Sequence, residues 1–137
     1  MTTLSRADLV SIALTYLDAL ISREGDGVPL SPNVRWVEQG MLIASQAEQV
    51  IKNFKRLPRM ERVNTRLFVD AKESSVVAFA ILKVGTEPTR NDNAIIMQSP
   101  RVVHLVERFR ITEGLITEIE GVFHPVDNAS DFEINWQ

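Results

Sequence analysis

Residues 101–124, RVVHLVERFRITEGLITEIEGVFH, concentrate the side chains of this sequence that could move a proton. The carboxylates Glu107, Glu118 and Glu120 and the histidines His104 and His124 fall on two arms in which apolar and polar residues alternate. Such alternation is the signature of a half-buried antiparallel hairpin, here with its turn at Thr112-Glu113-Gly114. A carboxyl on the apolar side of a hairpin has its pKa raised by desolvation, as a general acid or base at neutral pH requires. Metal chemistry fits less well. The spacing His104-x-x-Glu107 suggests a metal pair, but positions three apart on a strand point to opposite faces. Two histidines and no cysteine are also a poor transition-metal set. There is no serine in a nucleophile elbow, no glycine-rich phosphate loop and no dinucleotide fingerprint. The expected chemistry is acid–base work with no cofactor and no metal, or none at all.

Which acids share a face depends on the turn. A two-residue turn at Glu113-Gly114 needs positive φ at both positions and sets Glu107 opposite Glu120. Like charges opposed on a sheet are destabilising, and they would split the pair into an acid and a base. A three-residue loop, Thr112-Glu113-Gly114, needs only Gly114 in the left-handed region and is preferred here. It pairs Glu107 with Ile119 and gathers Val103, Leu105, Glu107, Phe109, Ile111, Leu115, Thr117, Ile119 and Phe123 on one face. Arg108, Glu118, Glu120, Arg110, His104 and His124 then form a charge-paired surface. Glu107 lies on the more apolar side in either register. Its structural alternative is an ion pair with an arginine, for which Arg66 is one partner.

Glu38 follows Trp36 on one side of a short strand and precedes a glycine break, a common place for site residues. A solvated strand end is the alternative. Tyr16 lies in the apolar stripe of the first helix, where its hydroxyl either reaches a pocket or makes one core hydrogen bond.

The elements that must position these residues follow from periodicity. Ser5 and Asp8 form a capping-box start. Leu9, Ile12, Ala13, Tyr16, Leu17 and Leu20 then recur at helical spacing over residues 5–23, and Gly25 and Gly27 close the helix. The segment 28–34, with two prolines, reads as a loop, and Val34 to Glu38 as a strand broken by Gly40. Ser45 and Glu48 suggest a second capping box opening a helix of about ten residues that buries Ala47, Val50, Ile51 and Phe54 and ends before Pro58. Residues 61–71 and 75–85 read as two strands around a turn at Lys72-Glu73-Ser74. Residues 86–93 read as a polar loop, and Phe132, Ile134 and Trp136 as a flap or edge strand. Helices before a strand meander predict an α+β fold. Its curved antiparallel sheet packs against N-terminal helices and forms a cone with an internal pocket.

At 137 residues the chain is expected to form a single domain, 1–137. A net charge of −3 offers no basic excess for nucleic acid. The start of the chain lacks a basic n-region, no stretch reaches the ~20 apolar residues of a membrane span, and no cysteine points to an oxidising compartment, so a cytoplasmic protein is expected.

The first helix ending in LDAL, then VPLSPNVRWVEQG, FVDAKESSVVAFAIL and above all ERFRITEGLITEIEGVF, resembles SnoaL-like proteins of the nuclear-transport-factor-2-like superfamily over residues 5–124. The nearest pattern has Glu-Asn-Gly after its first strand, which reads Glu38-Gln39-Gly40 here, and a closing hairpin that reads Ile116-Thr117-Glu118-Ile119-Glu120. Glu38 and Glu120 fall on the recurrent acids of that branch, whereas Glu107 is singled out by its own face. The resemblance implies a curved sheet around a deep apolar pocket, usually in homo-oligomers, with a homodimer or homotrimer expected. It also implies enzymes such as cyclases, isomerases, dehydratases and epoxide hydrolases on hydrophobic ring compounds, beside non-catalytic binding modules.

The reading for this chain is a cofactor-independent acid–base enzyme, a lyase or dehydratase, isomerase or cyclase, for a small hydrophobic, aromatic or polycyclic substrate. Glu107 or Glu120 would be the acid/base and Glu38 or His104 its partner. Tyr16 and Arg66 would polarise an oxygen, and Trp36, Phe54, Phe68, Phe79 and Phe109 would form the wall. The alternative is a non-catalytic module of the same fold that binds a ligand or a protein.

Overall fold

The structure, a computed structural model, describes residues 3–85 and 101–126. The expectations for 86–93 and for Phe132, Ile134 and Trp136 lie outside these residues.

Helix α1 spans Arg6–Ser22 and opens as expected: Ser5 Oγ accepts from Asp8 N, and the Asp8 carboxylate accepts from Ser5 N. Its stripe buries Leu9, Ala13, Tyr16, Leu17 and Leu20. Arg23, in the left-handed region at φ 63°, closes it and donates its N–H to Ala19 O. Gly25 has a different task from ending the helix. A Cβ there would lie 2.6 Å from the Phe54 ring, so its absence lets that ring pack beneath the chain.

Strand β1 is Leu30–Glu38, longer than expected because it starts among the prolines. Its pairing skips from Leu30 to Arg35, so Pro32 falls where no ladder N–H is required. Gln39 and Gly40, both at positive φ, form a two-residue hairpin turn to β2, Met41–Ala44. Periodicity did not reveal β2, since Met41, Leu42 and Ile43 are all exposed. Helix α2 is Ala47–Phe54. The Ser45–Glu48 capping box does not form: Gln46 is the N-cap, and Gln49 Oε1 accepts from Ser45 N. Strands β3 (Met60–Asp70), β4 (Ser75–Val84), β5 (Arg101–Thr112) and β6 (Leu115–Val126) form the meander.

The six strands make one sheet in the order β2-β1-β6-β5-β4-β3. The sheet is mixed rather than wholly antiparallel, because β1 runs parallel to β6. It is open and curved, an α+β cone, with α1 packed against β3 and β4 and α2 against β1 and β2. Each fully buried Leu, Ile or Phe of the interior contributes about 1.5–3 kcal/mol, against less than about 1 kcal/mol for an exposed ion pair. The enclosed face, rather than surface ion pairs such as Arg108–Glu118, therefore holds the fold. Among the described residues no helix is long and apolar enough to cross a membrane.

The β5–β6 hairpin follows neither expected register throughout. Its turn is the two-residue one: Thr112 pairs with Leu115, and Glu113 and Gly114 have φ 54° and 82°. Thr117 then bulges, so that Ile111 pairs with Ile116 but Arg110 pairs with Glu118. The extra residue turns both Ile116 and Ile119 inward, and each is fully buried. Leu115, expected inside, is 38% exposed. Beyond the bulge Glu107 faces Gly121, neither Ile119 nor Glu120.

Candidate active site

Five register partners form a row across the concave face: Glu38 on β1, Gly121 on β6, Glu107 on β5, Ala78 on β4 and Leu67 on β3. Partners in register point to the same side, and strands lie ~4.8 Å apart, so the Glu38 and Glu107 backbones are about 10 Å apart with only a glycine between them. Small residues flank Glu107 on both sides. A Cβ on Gly121 would lie 3.2 Å from Glu107 Cγ and 3.3 Å from its Oε2. A glycine inside a strand often marks such a close approach, and Gly121 is the site residue that the sequence reading left unused.

Glu107 is 1% exposed and is the one buried carboxyl group among the described residues. Tyr16 Oη donates to its Oε2 at 3.2 Å. Glu107 Oε1 is buried with no hydrogen-bond partner among the described residues, and so is Trp36 Nε1. Desolvation is the largest effect on the carboxyl, followed by repulsion from Glu38. Together they outweigh the Tyr16 hydrogen bond and push the pKa up to about 8. Burial also raises Glu38. Tyr16 is held well above its ordinary value by burial and then by the two carboxylates. At neutral pH Glu107 is therefore mostly the acid. With Tyr16 donating to Oε2, its proton belongs on Oε1.

The remaining interior is aromatic. Tyr16 meets Phe109 edge-on at 4.7 Å and Phe54 at 5.3 Å between ring centroids, and Trp36 lies 6.1 Å from Phe54. Val34 and Trp36 alternate inward along β1, and Glu38 follows in phase. Gln39 ties this corner down: its N–H donates to Gly121 O, and its Oε1 accepts from Phe123 N at 2.8 Å.

The expected residues thus divide into two groups. Glu107, Glu38, Tyr16, Trp36, Phe54 and Phe109 meet on the concave side. Glu120, expected as an acid of the pocket, lies on the outer face, where Arg108 donates to it and to Glu118. His104 is on the opposite face of β5 from Glu107 and is paired with His124. Arg66, Phe68 and Phe79 are also outside: the two rings stack edge to face at 5.5 Å, with the Arg66 guanidinium 6.0 Å from the Phe68 centroid. The inward residues of β3 include Leu67 and Val69, and strand alternation sends Arg66 and Phe68 the other way. The hydroxyl of Tyr16, rather than Arg66, is the partner of Glu107.

This open, curved six-stranded sheet with its two helices is an NTF2-like fold of the SnoaL type. The chain belongs to the family described as Domain of unknown function (DUF8021), which it matches over residues 2–123. Comparison with the curated proteins finds no match. Among solved structures, the chain is similar to a candidate SnoaL-like polyketide cyclase from Jannaschia sp. CCS1 (19% identity, 91% of each chain covered, TM-score 0.67). It is also similar to a candidate polyketide cyclase from Xanthomonas campestris pv. campestris (15% identity, 87% of this chain and 92% of that one, TM-score 0.70). A third is an LEH-like epoxide hydrolase from M. tuberculosis (15% identity, 86% of this chain and 84% of that one, TM-score 0.66). At these identities the likeness is one of fold, which alone assigns no reaction.

Proposed function

We propose that this chain is a cofactor-independent acid–base enzyme for a small hydrophobic substrate, in which Glu107 acts as the acid and Glu38 as the base. The observation that carries the reading is the Glu38–Gly121–Glu107 row, one carboxyl fully buried and bonded to Tyr16, the other partly solvated. Burial raises both carboxyls, and the charge of Glu38 raises Glu107 again, which gives Glu107 the part of the acid and Glu38 that of the base.

Glu38, as carboxylate, takes a proton from a carbon next to a carbonyl group. The C–H electron pair moves into the carbon framework, and the carbonyl oxygen receives the proton of Glu107 Oε1. The enol O–H then returns its proton to Glu107 while protonated Glu38 gives its proton either to another carbon of the conjugated enol, which is isomerisation, or to a β-hydroxyl that leaves as water, which is dehydration. Attack of the same carbon on a second carbonyl gives cyclisation. Tyr16 holds the Glu107 carboxyl in position, and Trp36, Phe54 and Phe109 supply an apolar surround.

Exchange of α-protons in D2O, followed by proton NMR on a series of aryl ketones, tests the step common to all three outcomes. Glu107→Gln and Glu38→Gln are expected to lower exchange by 10²–10⁴-fold, with Glu118→Gln close to wild type. Exchange unchanged in both site variants refutes the proposal.

A binding module is favoured by a different observation. The outer face exposes Val63, Phe68, Phe79 and Val122, a patch suited to assembly into a homo-oligomer. The mass of the protein in solution tests that part separately, and a monomer counts against it.

A further inference from the structure

Two buried polar atoms beside the Glu38–Glu107 row have nothing to bond to among the described residues, a condition that Arg62 Nη1 and Thr65 Oγ1 share farther along β3. Trp36 Nε1 and Glu107 Oε1 are both buried and lack a partner among the described residues, and buried polar groups are rarely left so. Trp36 and Glu38 are successive inward residues of β1, so the indole lies in the row next to the two carboxyls. An indole N–H can only donate, and a protonated carboxyl oxygen also donates. One ligand atom satisfies both if it is an acceptor with two lone pairs.

Charge narrows the choice further. The ionisable groups on this part of the concave face are Glu38, Glu107 and Tyr16. The nearest inward cation along β3, Arg62, is engaged at 2.8 Å by Asp18. An anionic oxygen in the row would meet Glu38, with Arg62 five residues along β3 from the Leu67 of that row, whereas an uncharged oxygen meets two donors.

We propose that Trp36 is a binding and specificity residue: its indole N–H and the Glu107 hydroxyl jointly hold an uncharged carbonyl oxygen. The site then selects ketones and aldehydes over hydrocarbons of the same shape and over carboxylates. This deepens the acid–base reading and rests on it for the proton of Glu107, but it is tested by binding rather than by turnover.

The probes are aryl methyl ketones from acetophenone to 2-acetonaphthone, each compared with its ethyl hydrocarbon and its carboxylate, titrated into the full chain at neutral pH. The ketone is expected to bind at least tenfold more tightly than either analogue. With ¹⁵N-labelled indoles, and the second tryptophan assigned through Trp136→Phe, the Trp36 Nε1–H resonance is expected to move downfield with ketone and not with hydrocarbon. Trp36→Phe is expected to remove the preference for ketone over hydrocarbon while still binding both. The indole resonance in wild type stands as the test if that variant does not fold. Failure of every ketone to bind, a carboxylate bound as tightly as its ketone, or an unmoved indole resonance overturns the proposal. Ketone binding with the indole shift but without α-proton exchange upholds it and removes the acid–base reading instead.

Discussion

Replacing Glu107 by glutamine should change the pH dependence of stability more than any other single substitution in the interior. Glutamine keeps the shape and can still accept from Tyr16, but it has no proton to lose. In the wild type the carboxyl goes from an ordinary value of 4.5 to about 8 on folding. The folded state therefore binds more protons than the unfolded chain across that window, and stability falls as pH rises through it. At 1.36 kcal/mol per unit the full span is on the order of 5 kcal/mol. Below pH ~4.5 the two proteins should have similar pH dependence, since the group is protonated in both states of the wild type. Above pH ~8 Glu107→Gln should be the more stable by up to about 5 kcal/mol relative to that acidic reference, about 15 °C in melting temperature for a chain of this size. Burial raises Glu38 in both proteins, so its own contribution largely cancels from the difference. Urea unfolding at pH 5, 7 and 9 measures the effect. A difference between the two proteins that stays constant across those pH values refutes the reasoning.

Other substitutions probe the same corner. Gly121→Ala places a Cβ 3.2 Å from Glu107 Cγ; with Tyr16 closing the other side, it should cost roughly 1–3 kcal/mol as overpacking does, read by urea unfolding. Gly25→Ala meets the Phe54 ring at 2.6 Å and should destabilise by a similar roughly 1–3 kcal/mol, with the near-ultraviolet dichroism of the aromatic cluster altered. Tyr16→Phe removes the hydrogen bond that lowers Glu107, so the Glu107 titration should move to still higher pH. If Glu107 is the acid, proton-exchange activity should fall as pH rises through about 8, and that alkaline limb should be absent from what activity remains in Glu107→Gln.

Much of the scaffold was legible because local rules decide it. The Ser5–Asp8 capping box and the Tyr16 stripe produce α1, and simple alternation puts Glu107 on the apolar side of β5. The details that make the site are not local. Thr117 bulges where turn chemistry alone predicts a continuous ladder, and that one-residue shift sets Gly121 opposite Glu107 and sends Glu120 outward. Glu38 reaches the same row only because β1 adds to β6 in parallel, a pairing between segments some eighty residues apart in sequence. The aromatic residues Phe68 and Phe79 were expected in the wall because aromatic rings favour interiors. Their strands, however, bury the alternate positions, Leu67 and Val69 on β3 and Ala78 and Ala80 on β4. Small residues at Ala78 and Gly121 leave space where larger ones would have filled the core around Glu107.

The central claim is that a buried carboxyl keeps its proton at neutral pH inside this cone. A ¹³C NMR titration of the Glu107 carboxyl, assigned by its disappearance in Glu107→Gln, tests it without reference to any substrate. The account predicts a midpoint near 8, with the carboxyl protonated at pH 7. A midpoint in the ordinary range around 4.5 would contradict it.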